Sequence, residues 1–204
     1  MDIPVGHGVS MHDMVAELAF SLAERAVQDS VSVKAVLESS SKFSSAFEKA
    51  ASFLGKEFSE LSLSPVSSEE IRESARIANQ YFGCFEYLEE ENILFRPRVN
   101  GSGFLPALVA DMQVGTSLYE VKTVRRNLSG NDLRQLILYL ALQWSSGDRK
   151  WETAGFFNPR RGLLFQFSVD HLIYWASGGR STSDVFHDMT YFLASRNFEV
   201  DSQF

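Results

Sequence analysis

The chain has a single cysteine, Cys84, among 204 residues. That excludes an internal disulfide and suits a reducing compartment, so the expected location is the cytoplasm. With only 5 prolines and 13 glycines, nothing reads as collagen-like, and no repeat or low-complexity tract is present. No run of about 18 apolar residues occurs, so no membrane-spanning helix and no membrane partner are expected. Residues 1–17 lack the basic flank and apolar stretch of a secretory signal. The histidines (His7, His12, His171 and His187) are scattered without zinc-site spacing. Basic charge is also scarce. Lys and Arg number 19 against 26 Asp and Glu, for a net charge of −7, which by itself argues against a polyanion partner.

The charge that is present is unevenly spread. Residues 1–91 hold 7 basic against 16 acidic side chains, residues 92–161 hold 10 against 5, and residues 162–204 hold 2 against 5. The local field of the middle segment is therefore positive, and local field governs docking of a polyanion more than the total does. Hydrophobic residues make up 45% of the chain, enough for one proper core with a helical appendage.

Apolar residues recur at helical spacing over 9–28 and again over 31–62, with a serine cluster at 39–41 interrupting the second stretch. Residues 1–62 are thus expected to form a helical, acidic N-terminal region able to pack on the core, build a dimer interface or repel DNA from the wrong face, and to be where a partner protein would meet the chain. Residues 61–68, with Pro65, read as a linker. Ser67 followed by Glu70 is a capping-box pattern that starts a helix near 68. Ile93 to Val99 reads as a strand, and Pro97 within it argues for an edge or an end. Residues 100–103 read as a loop, and 104–114 lead into a hairpin. A basic loop carries Arg125 and Arg126, and Ser129 or Asn131 then caps a helix with Leu133, Leu136, Ile137, Leu140 and Trp144 on its inner stripe. Strands over 152–158 and 163–169, joined at Arg160 and Arg161, precede helices over 170–177 and 182–195, and the tail is polar.

The stretch from Val109 to Lys122 carries the chemistry. Two apolar runs flank Gly115-Thr116, the pattern of a tight hairpin. If Val114 pairs with Ser117, Asp111 falls opposite Glu120, and Lys122 shares the face of Glu120 because side chains alternate along a strand. Like charges set opposite each other destabilise a ladder, and a divalent cation between them would relieve the conflict. Lys122 could lend charge to a phosphate or position a water. An exposed Glu120–Lys122 salt bridge is the plain alternative.

Asp111, the triplet Glu120-Val121-Lys122, and Gln135 followed by Tyr139 on the next helix together resemble the PD-(D/E)xK nuclease superfamily, in particular its RecB-like exonuclease branch. The resemblance covers about residues 67–169. Ala110 stands where the family name has proline. The resemblance implies an α/β fold with a restriction-endonuclease-like three-layer core, a central mixed sheet of about four to five strands flanked by helices, spanning 67–204 behind the N-terminal helical region. It implies Mg²⁺ or Mn²⁺ held by Asp111, Glu120 and the Val121 carbonyl, with Glu86 (Glu73 behind it) as a further acidic ligand. Lys122 would orient or help deprotonate the attacking water, Gln135 would hold Lys122 or the phosphate, and Tyr139 would brace the site. Arg125, Arg126, Arg134, Arg160 and Arg161 would contact backbone phosphates. The function implied is hydrolysis of DNA phosphodiester bonds, with RNA not excluded, in a defence or repair setting. The alternative is a non-catalytic nuclease-fold subunit that binds nucleic acid or a partner protein.

Overall fold

The computed structural model describes residue 3 and residues 12–55, 66–101, 105–147 and 151–195. The expected helical residues 9–11 and 56–62, the linker over 61–65, loop residues 102–103, Phe104, His7 and the tail from 196 lie outside them. Among the described residues the chain is α/β, with a mixed five-stranded sheet and seven helices. No helix among them is long and apolar enough to cross a membrane. The chain divides into two compact units. One comprises Met1–Glu90, Thr123–Arg125 and Asn158–Leu163, and the other Glu91–Lys122, Arg126–Phe157 and Leu164–Phe204.

The first unit is built on α1 (His12–Gln28), α2 (Val33–Glu38), α3 (Ser40–Leu54) and α4 (Ser68–Leu88). The expected second helical stretch is two helices, because Ser39 takes an extended conformation between them, at φ −98° and ψ 109°. Met14, Val15, Leu18 and Leu22 of α1 are buried, and α1 packs on both α3 and α4. The capping box forms as its spacing predicts. Ser67 Oγ accepts from the Glu70 amide at 3.2 Å, and the Glu70 carboxylate accepts from the Ser67 amide at 2.9 Å. Such a cap contributes about 1 kcal/mol. Ser74 Oγ then donates to the Val15 carbonyl at 3.1 Å. This joining of α4 to α1 carries the unit to Glu90, beyond the region expected to end at 62.

The second unit holds the sheet, in the order β1-β4-β5-β6-β7. Its strands are β1 (Ile93–Phe95), β4 (Met112–Val114), β5 (Ser117–Val121), β6 (Thr153–Asn158) and β7 (Leu163–Ser168), while β2 (Arg98–Val99) and β3 (Leu108–Val109) form a separate pair. β1 with β4 and β2 with β3 are antiparallel in one continuous register, Ile93 opposite Val114 and Arg98 opposite Val109. The single strand expected over 93–99 is split at Arg96 and Pro97. Proline has no amide to give the ladder, and Arg96 takes φ +52°. The β4–β5 hairpin has the predicted register, Val114 opposite Ser117 and Met112 opposite Tyr119. Gly115, at φ +56°, supplies the positive φ that a tight two-residue turn needs. β5 continues in parallel pairing with β6, Leu118 opposite Ala154 and Glu120 opposite Phe156.

Helix α5 (Gly130–Ser145) packs on β5, and α6 (Val169–Ala176) and α7 (Thr182–Ser195) follow. Leu118, Leu136, Leu140, Ala154, Phe156, Ile173 and Phe186 make up the centre of the core. Each fully buried side chain of this size stabilises the fold by roughly 1.5–3 kcal/mol relative to exposure. Leu118 on β5 and Leu136 on α5 are both fully buried. The β5 face that bears Leu118 also bears Glu120 and Lys122 at the two-residue period, so this packing sets the acids against α5.

Candidate metal and phosphate site

β5 brings Glu120 and Lys122 to the α5 side, and the hairpin register sets Asp111 at the position opposite Glu120. Asp111 is half-buried and Glu120 is 2% exposed. The two carboxyl groups are within hydrogen-bonding reach of each other. Asp111 Oδ2 accepts from the Val121 amide at 2.7 Å, which fixes one of its oxygens. Glu120 Oε1 accepts from Lys122 Nζ at 2.8 Å. Its second oxygen, Oε2, is buried with no hydrogen-bond partner.

Burial raises the Glu120 carboxyl to about 8, and the charge of Asp111 adds to the rise while Lys122 opposes it. Asp111 is raised too, chiefly by burial, against the Val121 amide and the charges of Lys122 and Arg96. Two buried acids in contact hold a proton at neutral pH because both cannot ionise cheaply side by side.

Lys122 Nζ also donates to Gln135 Oε1 at 3.0 Å, and Gln135 Nε2 donates to the Tyr139 hydroxyl at 3.0 Å. Gln135 and Tyr139 stand one turn apart on α5, hence one above the other. Burial pushes the Tyr139 hydroxyl up to about 12, so it stays protonated and serves as a neutral brace. All five residues expected at the core of the site are therefore connected, from Asp111 through Glu120, Lys122 and Gln135 to Tyr139.

No family model, no curated protein and no solved structure matches this chain. What the site can do is therefore read from its own chemistry.

The outlying expectations fare unevenly. Glu86 is an exposed residue of α4. Glu73 is buried and paired with Arg160 at 2.6 Å, and Arg160 is itself only 2% exposed. Arg160 is thus committed inside the first unit and is not a surface clamp for phosphate. A guanidinium in a hairpin turn reads as solvated, but here a buried carboxylate draws it inward. Arg125 and Arg134 are exposed, the latter bonded to Asn131, and Arg161 is half-buried. Arg126 is half-exposed and spends its guanidinium on Asp132, at 2.6 and 2.9 Å. Among the described residues, no group of three or more His, Cys, Asp or Glu side chains gathers as a metal site.

Two residues beside the site were not expected. Asp132 closes a second capping box with Ser129 and lies 3.8 Å from Lys122. Its signal is legible in the spacing of Ser129 and Asp132, the same pattern that announced α4. Arg96 lends positive charge to Asp111 and donates its amide to the Asp111 carbonyl at 2.8 Å. Its left-handed conformation ahead of a proline has no sequence signal.

Proposed function

We propose that the protein is a metal-dependent nuclease of the PD-(D/E)xK type, hydrolysing phosphodiester bonds of DNA on a restriction-endonuclease-like core. One observation carries the reading: half-buried Asp111 stands against buried Glu120, and Glu120 Oε2 has no N–H donor, so that apart from a proton held between the two acids nothing satisfies it. With both acids ionised, such an oxygen is left unsatisfied at a cost on the order of 1–3 kcal/mol or more. A purely structural Glu120–Lys122 bridge explains Oε1 and leaves Oε2 and the approach of Asp111 without a reason. A hard divalent cation accounts for both, since it takes carboxylate oxygens and replaces the shared proton.

The donor set fits Mg²⁺ or Mn²⁺, with Asp111, Glu120 and the Val121 carbonyl as the groups that would hold it. When bound, such an ion supplies Lewis acidity toward the phosphate and lowers the pKa of water. The chain's own residues do the rest. The Val121 amide holds Asp111 in place, so the acid needs no reorganisation when it is used. Lys122 presents an ammonium at the same edge, where it orients a water or a phosphate oxygen. Gln135 keeps that ammonium from swinging into solvent, and Tyr139 keeps the Gln135 amide from turning. Contacts of this sort read phosphate and not base identity.

The test is cleavage of plasmid and linear DNA by purified protein with Mg²⁺ or Mn²⁺. Lys122→Ala should lower the rate by about 100-fold or more, a typical loss for a positioned proton-transfer group, while the circular dichroism spectrum stays unchanged. Undiminished cutting by that variant rejects the mechanism. Absence of both cutting and Mn²⁺ binding would leave a non-catalytic subunit that keeps the architecture.

A further inference from the structure

We infer that Asp132 is a positioning residue that holds the Lys122 ammonium in the site. Its kinetic consequence rests on the nuclease reading; its geometry does not. Asp132 is 4% exposed, and its two oxygens do different work. Oδ2 accepts from the Ser129 amide at 2.7 Å, from Ser129 Oγ at 2.8 Å and from the Arg126 guanidinium at 2.6 Å. Oδ1 accepts from the other arm of the Arg126 fork at 2.9 Å and lies 3.8 Å from Lys122 Nζ.

A helix cap alone needs only an acceptor for Ser129, which a neutral side chain supplies. A bidentate arginine and a lysine ammonium call for a full negative charge. The ammonium of Lys122 has three donors, and Glu120 and Gln135 take two of them. Asp132, contributed by α5 and not by the sheet, is a second carboxylate close to the ammonium, 3.8 Å from Nζ. Lys122 therefore sits between an acid that a metal would claim and an acid that has no such duty. When Glu120 turns to another partner, Asp132 and Gln135 are what keep Lys122 facing the site. Arg126, with its fork filled, acts as a strut that fixes the Asp132 carboxylate and joins the loop after β5 to the first turn of α5.

The experiment uses the full chain with Asp132→Asn, which keeps the size of the side chain and an acceptor for Ser129. In single-turnover cleavage of linear duplex DNA with Mn²⁺, the variant should lose about tenfold or more in kcat. KM and the Mn²⁺ affinity by calorimetry should stay within about twofold. In a Lys122→Gln background the same substitution should add less than about twofold, because residues acting through one another are not additive. A second readout is the ammonium ¹⁵N–¹H signal of Lys122, assigned by its loss in Lys122→Gln, which should shift or broaden in Asp132→Asn. If the wild-type chain cuts no DNA, the nuclease reading fails, and the ammonium signal alone decides the role of Asp132. If Asp132→Asn does not fold, Arg126→Ala frees the same carboxylate while leaving the cap in place, and it should move the Lys122 signal too. An unchanged Lys122 signal in the folded variant, or an equal loss of rate with and without Lys122, overturns the inference.

Discussion

Replacing Glu120 by Gln keeps the shape of the side chain and removes one of two facing charges. In the folded chain burial, helped by Asp111, carries the Glu120 carboxyl from 4.5 to about 8. An unfolded chain gives that proton up near the ordinary value. Between about pH 4.5 and 8 the native state therefore holds a proton that the unfolded state has lost, and raising the pH across this window favours unfolding. At about 1.36 kcal/mol for each pH unit between the two values, and with the proton shared with Asp111, the loss is on the order of 3–5 kcal/mol. The assay is urea unfolding at pH 5.5, 7 and 8.5 with chelator present. The wild-type midpoint should fall steadily with pH, whereas Glu120→Gln, which keeps only the burial-raised Asp111, should fall less steeply and be the more stable of the two at pH 8.5. Mn²⁺ at about 100 times its Kd should then add about 2.7 kcal/mol to the wild type and little to the variant. Parallel curves, or a wild type that gains stability from pH 5.5 to 8.5, would refute the argument that these acids share a proton.

Arg160→Met leaves the Glu73 carboxylate buried without its 2.6 Å partner. It should cost about 3–5 kcal/mol, read as a lowered urea midpoint at pH 7. Gly155→Ala would drive a methyl into the Phe165 carbonyl oxygen and bring it 3.0 Å from the Tyr119 ring. Backbone cannot yield that far without moving β7, so a loss of about 3 kcal/mol or failure to accumulate as folded protein is expected.

Much of the site was legible because it rests on short-range rules. A Gly-Thr turn between two apolar runs fixes a hairpin register, and a register fixes which side chains face each other. The same holds for Gln135 and Tyr139, four apart on a helix whose inner stripe is plain. The fate of Arg160 was not legible, since its partner Glu73 lies far away in sequence and nothing local marks a turn arginine for burial. The division of the chain into two compact units escaped for the same reason, because residues 123–125 and 158–163 cluster with helices that all end by Leu88. The pairing of Arg126 with Asp132 could be foreseen from the sequence. The Ser129–Asp132 cap was there to be read, and a capping carboxylate beside an arginine is a ready claimant for its charge.

β5 is the middle strand of five, laced to β4 on one flank and β6 on the other, and the lacing runs past its end to the Lys122 amide, bonded to the Phe157 carbonyl at 2.9 Å. A ribbon gripped along both borders has almost no freedom to swing. Its amide protons should be among the slowest in the molecule to exchange with deuterium. The Glu120 carboxyl it bears is anchored as firmly as the core itself, so whatever binds there must meet it as it finds it.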